Sequence, residues 1–132
     1  MEKLLERLKK HEGFREKVYK CTNGVDTFGY GFTNITKEEA EIILKMRVEN
    51  LYKEVEEVLL NKNITLNEAR KGVIVEMFFQ LGKTGTLKFV KMWNALQNNN
   101  YEVAGNEMLD SNWYLQTPKR CQELSIIMKK GK

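Results

Sequence analysis

The sequence predicts an α+β fold that is mostly α, and three observations predict it. Apolar residues recur at helical spacing along most of the chain, two capping boxes open helices at Thr36 and Thr65, and one stretch alone, residues 18–30, changes to strand spacing around a tight turn. At 132 residues the chain is one domain's worth, long enough to bury a core without staples, and a single bilobal unit over residues 1–132 is expected.

Residues 2–12 put Leu4, Leu5 and Leu8 on one helical face, and Gly13 ends that helix with Glu12 at its C-terminus. The one hairpin signal follows: Val18 to Cys21 and Val25 to Tyr30, joined by Thr22-Asn23-Gly24. Thr36 with Glu39 then opens a helix to about residue 61, with Leu44, Val48, Leu51, Val55 and Val58 spaced by three and four. At ~1.5 Å per residue it would reach ~35 Å, the width of a small domain, which suits a helix that joins two lobes. The small N-terminal lobe would cover about residues 13–45, and a helical C-terminal lobe about residues 62–132. In that second lobe Thr65 with Glu68 would cap a helix running through Val73, Val75, Phe78 and Phe79 to Gly82. Three shorter helices are expected near residues 86–97, 101–110 and 118–129, the last with Thr117 as N-cap and Pro118 in its first turn.

Composition narrows the function classes. Twenty-two basic against eighteen acidic residues give +4, a mild bias toward polyanions such as nucleic acid, anionic glycans or cell walls, which a solvated basic surface explains equally well. The apolar runs are far too short for a membrane span, and MEKLLERLKKHEG mixes charge into helical spacing where a secretory signal has a continuous apolar core. Cys21 and Cys121 are too few for a disulfide framework and too far apart for a zinc knuckle, and one histidine makes a His-based metal site improbable.

Several short matches fail on chemistry. Leu81-Gly82-Lys83-Thr84 resembles the end of a phosphate loop, but Met77 stands where a glycine is required, and the run follows a helix and not a strand. Asn34-Ile35-Thr36 and Asn63-Ile64-Thr65 match glycosylation sequons, yet helix capping accounts for both threonines. No helix carries a base-reading set of Arg, Asn and Gln beside a tight turn, so no nucleic-acid partner is expected.

Glu12, eight residues, Cys21, five residues, then Thr27, set within HEGFREKVYK and ending in TFGYG, resembles the active-site signature of the phage-type lysozymes, the endolysin muramidases. MFFQLGKTG at residues 77–85 and SNWYLQTPKR at residues 111–120 look like the C-terminal motifs of the same family, in the same order. The resemblance covers nearly the whole chain. It implies a lysozyme-like bilobal fold: a small N-terminal β-hairpin, a long interlobe helix, a helical C-terminal lobe, and helix 1–12 packed on that lobe.

The implied chemistry is hydrolysis of the β-1,4 bond between N-acetylmuramic acid and N-acetylglucosamine in bacterial peptidoglycan. Such a reaction needs a protonated acid for the leaving oxygen and a second group that activates water or stabilises the oxocarbenium-like transition state. Glu12 is the implied acid, and a helix C-terminus, where the macrodipole disfavours added negative charge, suits a proton donor. Cys21 stands where many relatives carry aspartate and would serve as base or nucleophile, with Lys20 and Arg15 as candidate neighbours that favour its thiolate.

Hairpin register decides between Asp26 and Thr27 as the residue opposite Cys21. A two-residue Asn23-Gly24 turn faces Asp26 toward it, a wider odd loop Thr27. The resemblance implies the second register, with Thr27 positioning water. It further implies that Phe79 and Gln80 bind substrate from the C-terminal lobe and that Arg120 supports Glu12. His11, about 100° round the helix from Glu12, reads as structural.

No metal or cofactor is implied, and a monomer without a membrane span is expected. As in endolysins that lack a signal, the protein would wait in the host cytoplasm and reach the wall through a holin-type pore. Only FTNI separates Gly31 from Thr36, where relatives carry a longer segment, so a reduced N-terminal lobe is expected. The competing reading is a catalytically weak or inactive peptidoglycan-binding module of a phage particle.

Overall fold

The computed structural model describes residues 1–13 and 35–132. Its described elements are α1 (Glu2–Glu12), α2 (Lys37–Asn61), α3 (Glu68–Leu87), α4 (Val90–Gln97), α5 (Tyr101–Leu109), α6 (Asn112–Gln116) and α7 (Pro118–Lys130). No helix among the described residues is long and apolar enough to cross a membrane.

Helix boundaries follow local chemistry. α1 stops at Gly13, whose positive φ of 71° is a conformation that residues with a Cβ resist, and the Gly13 N–H donates to the Lys9 carbonyl. α2 opens on a complete capping box: Thr36 Oγ1 accepts from the Glu39 N–H at 3.1 Å, and the Glu39 carboxylate accepts from the Thr36 N–H at 3.1 Å. Val48, Val55 and Val58 of α2 are buried, with Leu44 and Leu51 packed beside them. The α3 cap is not Thr65: Asn67 Oδ1 accepts from the Arg70 N–H at 2.9 Å, so the helix begins two residues later than expected. Ile64 and Leu66 are buried on the connection before it, which keeps Thr65 on an approach segment outside the helix.

Gly82 leaves helical geometry inside α3 (φ 80°, ψ 161°), and the backbone turns there toward α4. Thr86 and Trp93 hold that corner: buried Thr86 Oγ1 donates to the Gly82 carbonyl at 2.9 Å and Trp93 Nε1 to the Thr86 carbonyl at 3.0 Å. The expected helix at 86–97 therefore starts only at Val90, and the short α6, capped by Ser111 Oγ on the Tyr114 N–H, was not anticipated. Pro118 occupies the first turn of α7 as expected, but Thr117 makes no side-chain cap.

One core unites these helices. Leu4 and Leu8 of α1, Val73, Ile74 and Met77 of α3, and Leu124 and Met128 of α7 are among its buried members. Two polar side chains of α7 bind carbonyls of α5 inside it: Ser125 Oγ donates to Gly105 O at 2.9 Å and Cys121 Sγ to Met108 O at 3.2 Å. The far end of α7 is tied to the start of α3, where Arg70 donates to the carbonyls of Met128 and Lys129 at 2.7 and 3.0 Å.

The α+β class is corrected here. All regular structure among the described residues is helical and none is strand, because their apolar positions recur by three and four and bury against other helices. The expected β-hairpin, residues 18–30, falls outside the described residues.

Candidate active site

The second half of α1 presents three functional groups. Arg7 and His11, one turn apart, face α3, while Glu12 lies at the rim with its side chain 40% exposed. That face of α3 offers Glu76, a fully buried carboxylate inside the apolar run Val73-Ile74-Val75-Glu76-Met77-Phe78-Phe79. An unpaired charge in such a place would cost several kcal/mol, roughly, so its partners matter.

There are three. Arg7 Nε donates to Glu76 Oε1 at 2.5 Å, Arg120 Nε donates to Oε2 at 2.8 Å, and His11 Nδ1 lies 2.5 Å from Oε2. Arg120, on α7, also donates from Nη1 to Glu12 Oε2 at 2.7 Å. His11 Nε2 is in turn 2.8 Å from Glu123 Oε2, and Glu123 accepts from Lys10 Nζ at 3.0 and 3.2 Å. Carboxylate oxygens thus lie against both ring nitrogens of His11. Burial alone would raise the Glu123 carboxyl, but the hydrogen bonds and charges of Lys10 and His11 outweigh it and hold the group below its ordinary value.

Glu12 and Gly13 border a hollow of about 540 Å3 between the end of α1 and the start of α2, with Lys37, Ala40, Glu41 and Leu44 on its far wall. Phe79 lines a smaller neighbouring hollow with Ile35, Ile43 and Arg47. Gln80 is engaged at both ends of its amide: Oε1 accepts from Trp113 Nε1 at 2.9 Å and Nε2 donates to Thr117 Oγ1 at 3.2 Å. Trp113 itself is buried.

Of the site residues expected from sequence, the structure brings Glu12 and Arg120 into contact and sets Phe79 and Gln80 on α3, the helix that carries Glu76. Cys21 and Thr27, with Asp26, lie outside the described residues. The other cysteine, Cys121, is fully buried on α7, where burial pushes its thiol up to about 12. Sequence reasoning missed Glu76 altogether, and its signal was there: one acidic residue in the most apolar run of the chain.

The family model for phage lysozyme matches residues 9–126. A probable T4-type lysozyme 1 of Dictyostelium discoideum is 26% identical over 156 aligned positions, covering 94% of this chain and 92% of its own length. An endolysin of Acyrthosiphon pisum secondary endosymbiont phage 1 is 34% identical over 92 positions, which cover 63% of this chain and 60% of that one. The pre-baseplate central spike protein Gp5 of Enterobacteria phage T4 is 25% identical over 97% of this chain, which spans only 28% of that larger protein. An alignment of 156 positions onto 132 residues leaves at least 24 positions of the Dictyostelium protein without a counterpart here, so this chain is the shorter within the shared region.

These matches define a glycoside hydrolase that degrades peptidoglycan. The chain belongs to the phage lysozyme family, and it is a lysozyme.

Proposed function

We propose that the protein hydrolyses the β-1,4 bond between N-acetylmuramic acid and N-acetylglucosamine, with Glu12 as general acid, Cys21 as base or nucleophile, and Thr27 positioning water. The observation that carries this reading is the setting of Glu12: a carboxyl at the edge of the hollow between α1 and α2, which accepts a charged hydrogen bond from Arg120. A proton donor to a polymer must be reachable and oriented, and it is both. Phe79 and Gln80 would contribute to the substrate-facing wall of the C-terminal lobe.

In such a mechanism Glu12 delivers its proton to the glycosidic oxygen as the bond to the anomeric carbon breaks. The group at position 21 then either takes a proton from a water held by Thr27 or bonds the anomeric carbon itself, and product-anomer analysis separates the two. Clearing of a bacterial wall suspension tests the acid: Glu12→Gln should clear nothing measurable, and clearing at the wild-type rate would refute the assignment. For position 21, Cys21→Ser should lose activity and Cys21→Asp keep it; equal activity of both would remove Cys21 from the mechanism.

The biological setting we propose is host lysis from the cytoplasm, with access to the wall through a holin-type pore, in keeping with the endolysin relative. Expression alone should leave cells intact, and co-expression with a pore-former should lyse them. Matches over 92% and 94% of the length of two probable lysozymes favour the enzyme over a silent wall-binding module.

A further inference from the structure

We infer that Glu76 is a positioning residue for the hydrolysis, locking Arg120 through Nε and supplying the counter-charge that lets its Nη1 orient the Glu12 carboxyl without a bare cation drawing the proton from it. This rests on the reading of Glu12 as the acid.

Three observations carry it. Glu76 is fully buried, so its charge is not screened by water, and it is the one acidic residue in an apolar run. Its two oxygens gather partners from two other helices: Oε1 takes Arg7 of α1, and Oε2 takes Arg120 of α7 together with His11 of α1. Arg120 is nine-tenths buried and reaches Glu12 only with its outer nitrogen, so the carboxylate on its inner nitrogen fixes the plane in which that outer nitrogen points.

The electrostatic consequence has a definite sign. A lone guanidinium 2.7 Å from a carboxyl favours its ionised form, which is useless to a general acid. An anion on the other side of the same guanidinium opposes that pull. Around the pair, Arg7 and His11 face Glu76 from α1; Lys9 and Glu6 of α1 and Lys37 and Glu41 of α2 border the same hollow as Glu12; Lys10 and Glu123 flank His11. Glu76 is the anion held directly on Arg120 beside Glu12 among the described residues.

The test is steady-state hydrolysis of solubilised peptidoglycan by folded Glu76→Gln across a pH series. The expected result is a kcat lowered about tenfold or more with KM within about twofold. The basic limb of kcat/KM, where the acid loses its proton, should move about one pH unit lower. Glu76→Asp, which keeps the charge, should restore the position of that limb. Because Glu76→Gln leaves two buried arginines facing a neutral amide, the double variant Arg7→Met with Glu76→Gln is made beside it; it removes one cation with the anion and should show the same kinetic signature. In an Arg120→Gln background, adding Glu76→Gln should change kcat less than about twofold, since the lever is already gone. A wild-type kcat and pH profile in folded Glu76→Gln, or in the folded double variant Arg7→Met with Glu76→Gln, would overturn the inference, as would an undiminished further loss in the Arg120→Gln background. Glu12→Gln runs as the control: if it is fully active, the acid assignment fails, whereas its inactivity beside unaffected Glu76 variants sinks the positioning role alone.

Discussion

Arg120 donates to Glu12 Oε2 at 2.7 Å and thereby ties the final residue of α1 to the first turn of α7. The two ends of the guanidinium live in different dielectrics. Glu12 is 40% exposed, so that arm contributes little to stability and its value is orientation; the arm to Glu76 is buried and carries weight.

That asymmetry separates stability from activity. Arg120→Ala removes a partner from a fully buried carboxylate and should destabilise the protein by about 3 kcal/mol, lowering its melting temperature by several degrees. Glu12→Gln removes only the exposed arm and should cost under about 1 kcal/mol while abolishing wall clearing. Thermal melts of the two variants beside their clearing rates check the split, and a Glu12→Gln protein as unstable as Arg120→Ala would contradict it.

Gln80 presents a parallel question on α3. Both ends of its amide are engaged, one by the indole N–H of buried Trp113 and the other by Thr117. Gln80→Ala should leave that indole N–H unpaired in the interior and cost about 1–3 kcal/mol. A separate effect on KM, measured where the variant is folded, would report a substrate contact added to this structural one; a stability equal to wild type would show the indole had found another acceptor.

How legible all this was in the sequence varies with the range of the interaction that decides it. The α2 capping box was readable because Thr36 and Glu39 are three residues apart and satisfy each other. Thr65 and Glu68 have the same spacing, yet burial of Ile64 and Leu66 moved the helix start to Asn67, a tertiary effect that no local pattern contains. Glu12 and Arg120 sit 108 positions apart, and only the likeness to a family suggested their pairing before the structure showed the contact. Helix geometry turns His11 about 100° from Glu12, but its bridge between Glu76 and Glu123 needs two other helices to exist. The α+β class failed as a description of what is described, since the strand pattern was confined to residues 18–30.

Cys121 bears on any chemical test of Cys21. Its thiol is fully buried, donates to the Met108 carbonyl at 3.2 Å and is pushed up to about 12 by burial, so almost none is thiolate at working pH. Iodoacetamide at pH 8 should leave Cys121 unmodified in the native protein and label it only after denaturation, as mass spectrometry of peptides would report. Loss of activity on native alkylation then belongs to Cys21, whereas labelling of native Cys121 would mean that α5 and α7 open readily.

Acid should loosen the contact between α1 and α7 through Glu123. Its carboxyl is held below its ordinary value of 4.5: burial works against this, and the hydrogen bonds and charges of Lys10 and His11 prevail. A depressed folded value means the unfolded chain takes up the proton first, so the contribution is fully present above the unfolded value of 4.5 and disappears as pH falls through the lower folded one. Glu123→Gln removes this group's part of the acid sensitivity. Urea unfolding midpoints taken at pH 7 and again below pH 4 should therefore differ less in Glu123→Gln than in wild type, with the variant the less stable at pH 7. An unchanged pH dependence in the variant would transfer the acid sensitivity to other groups.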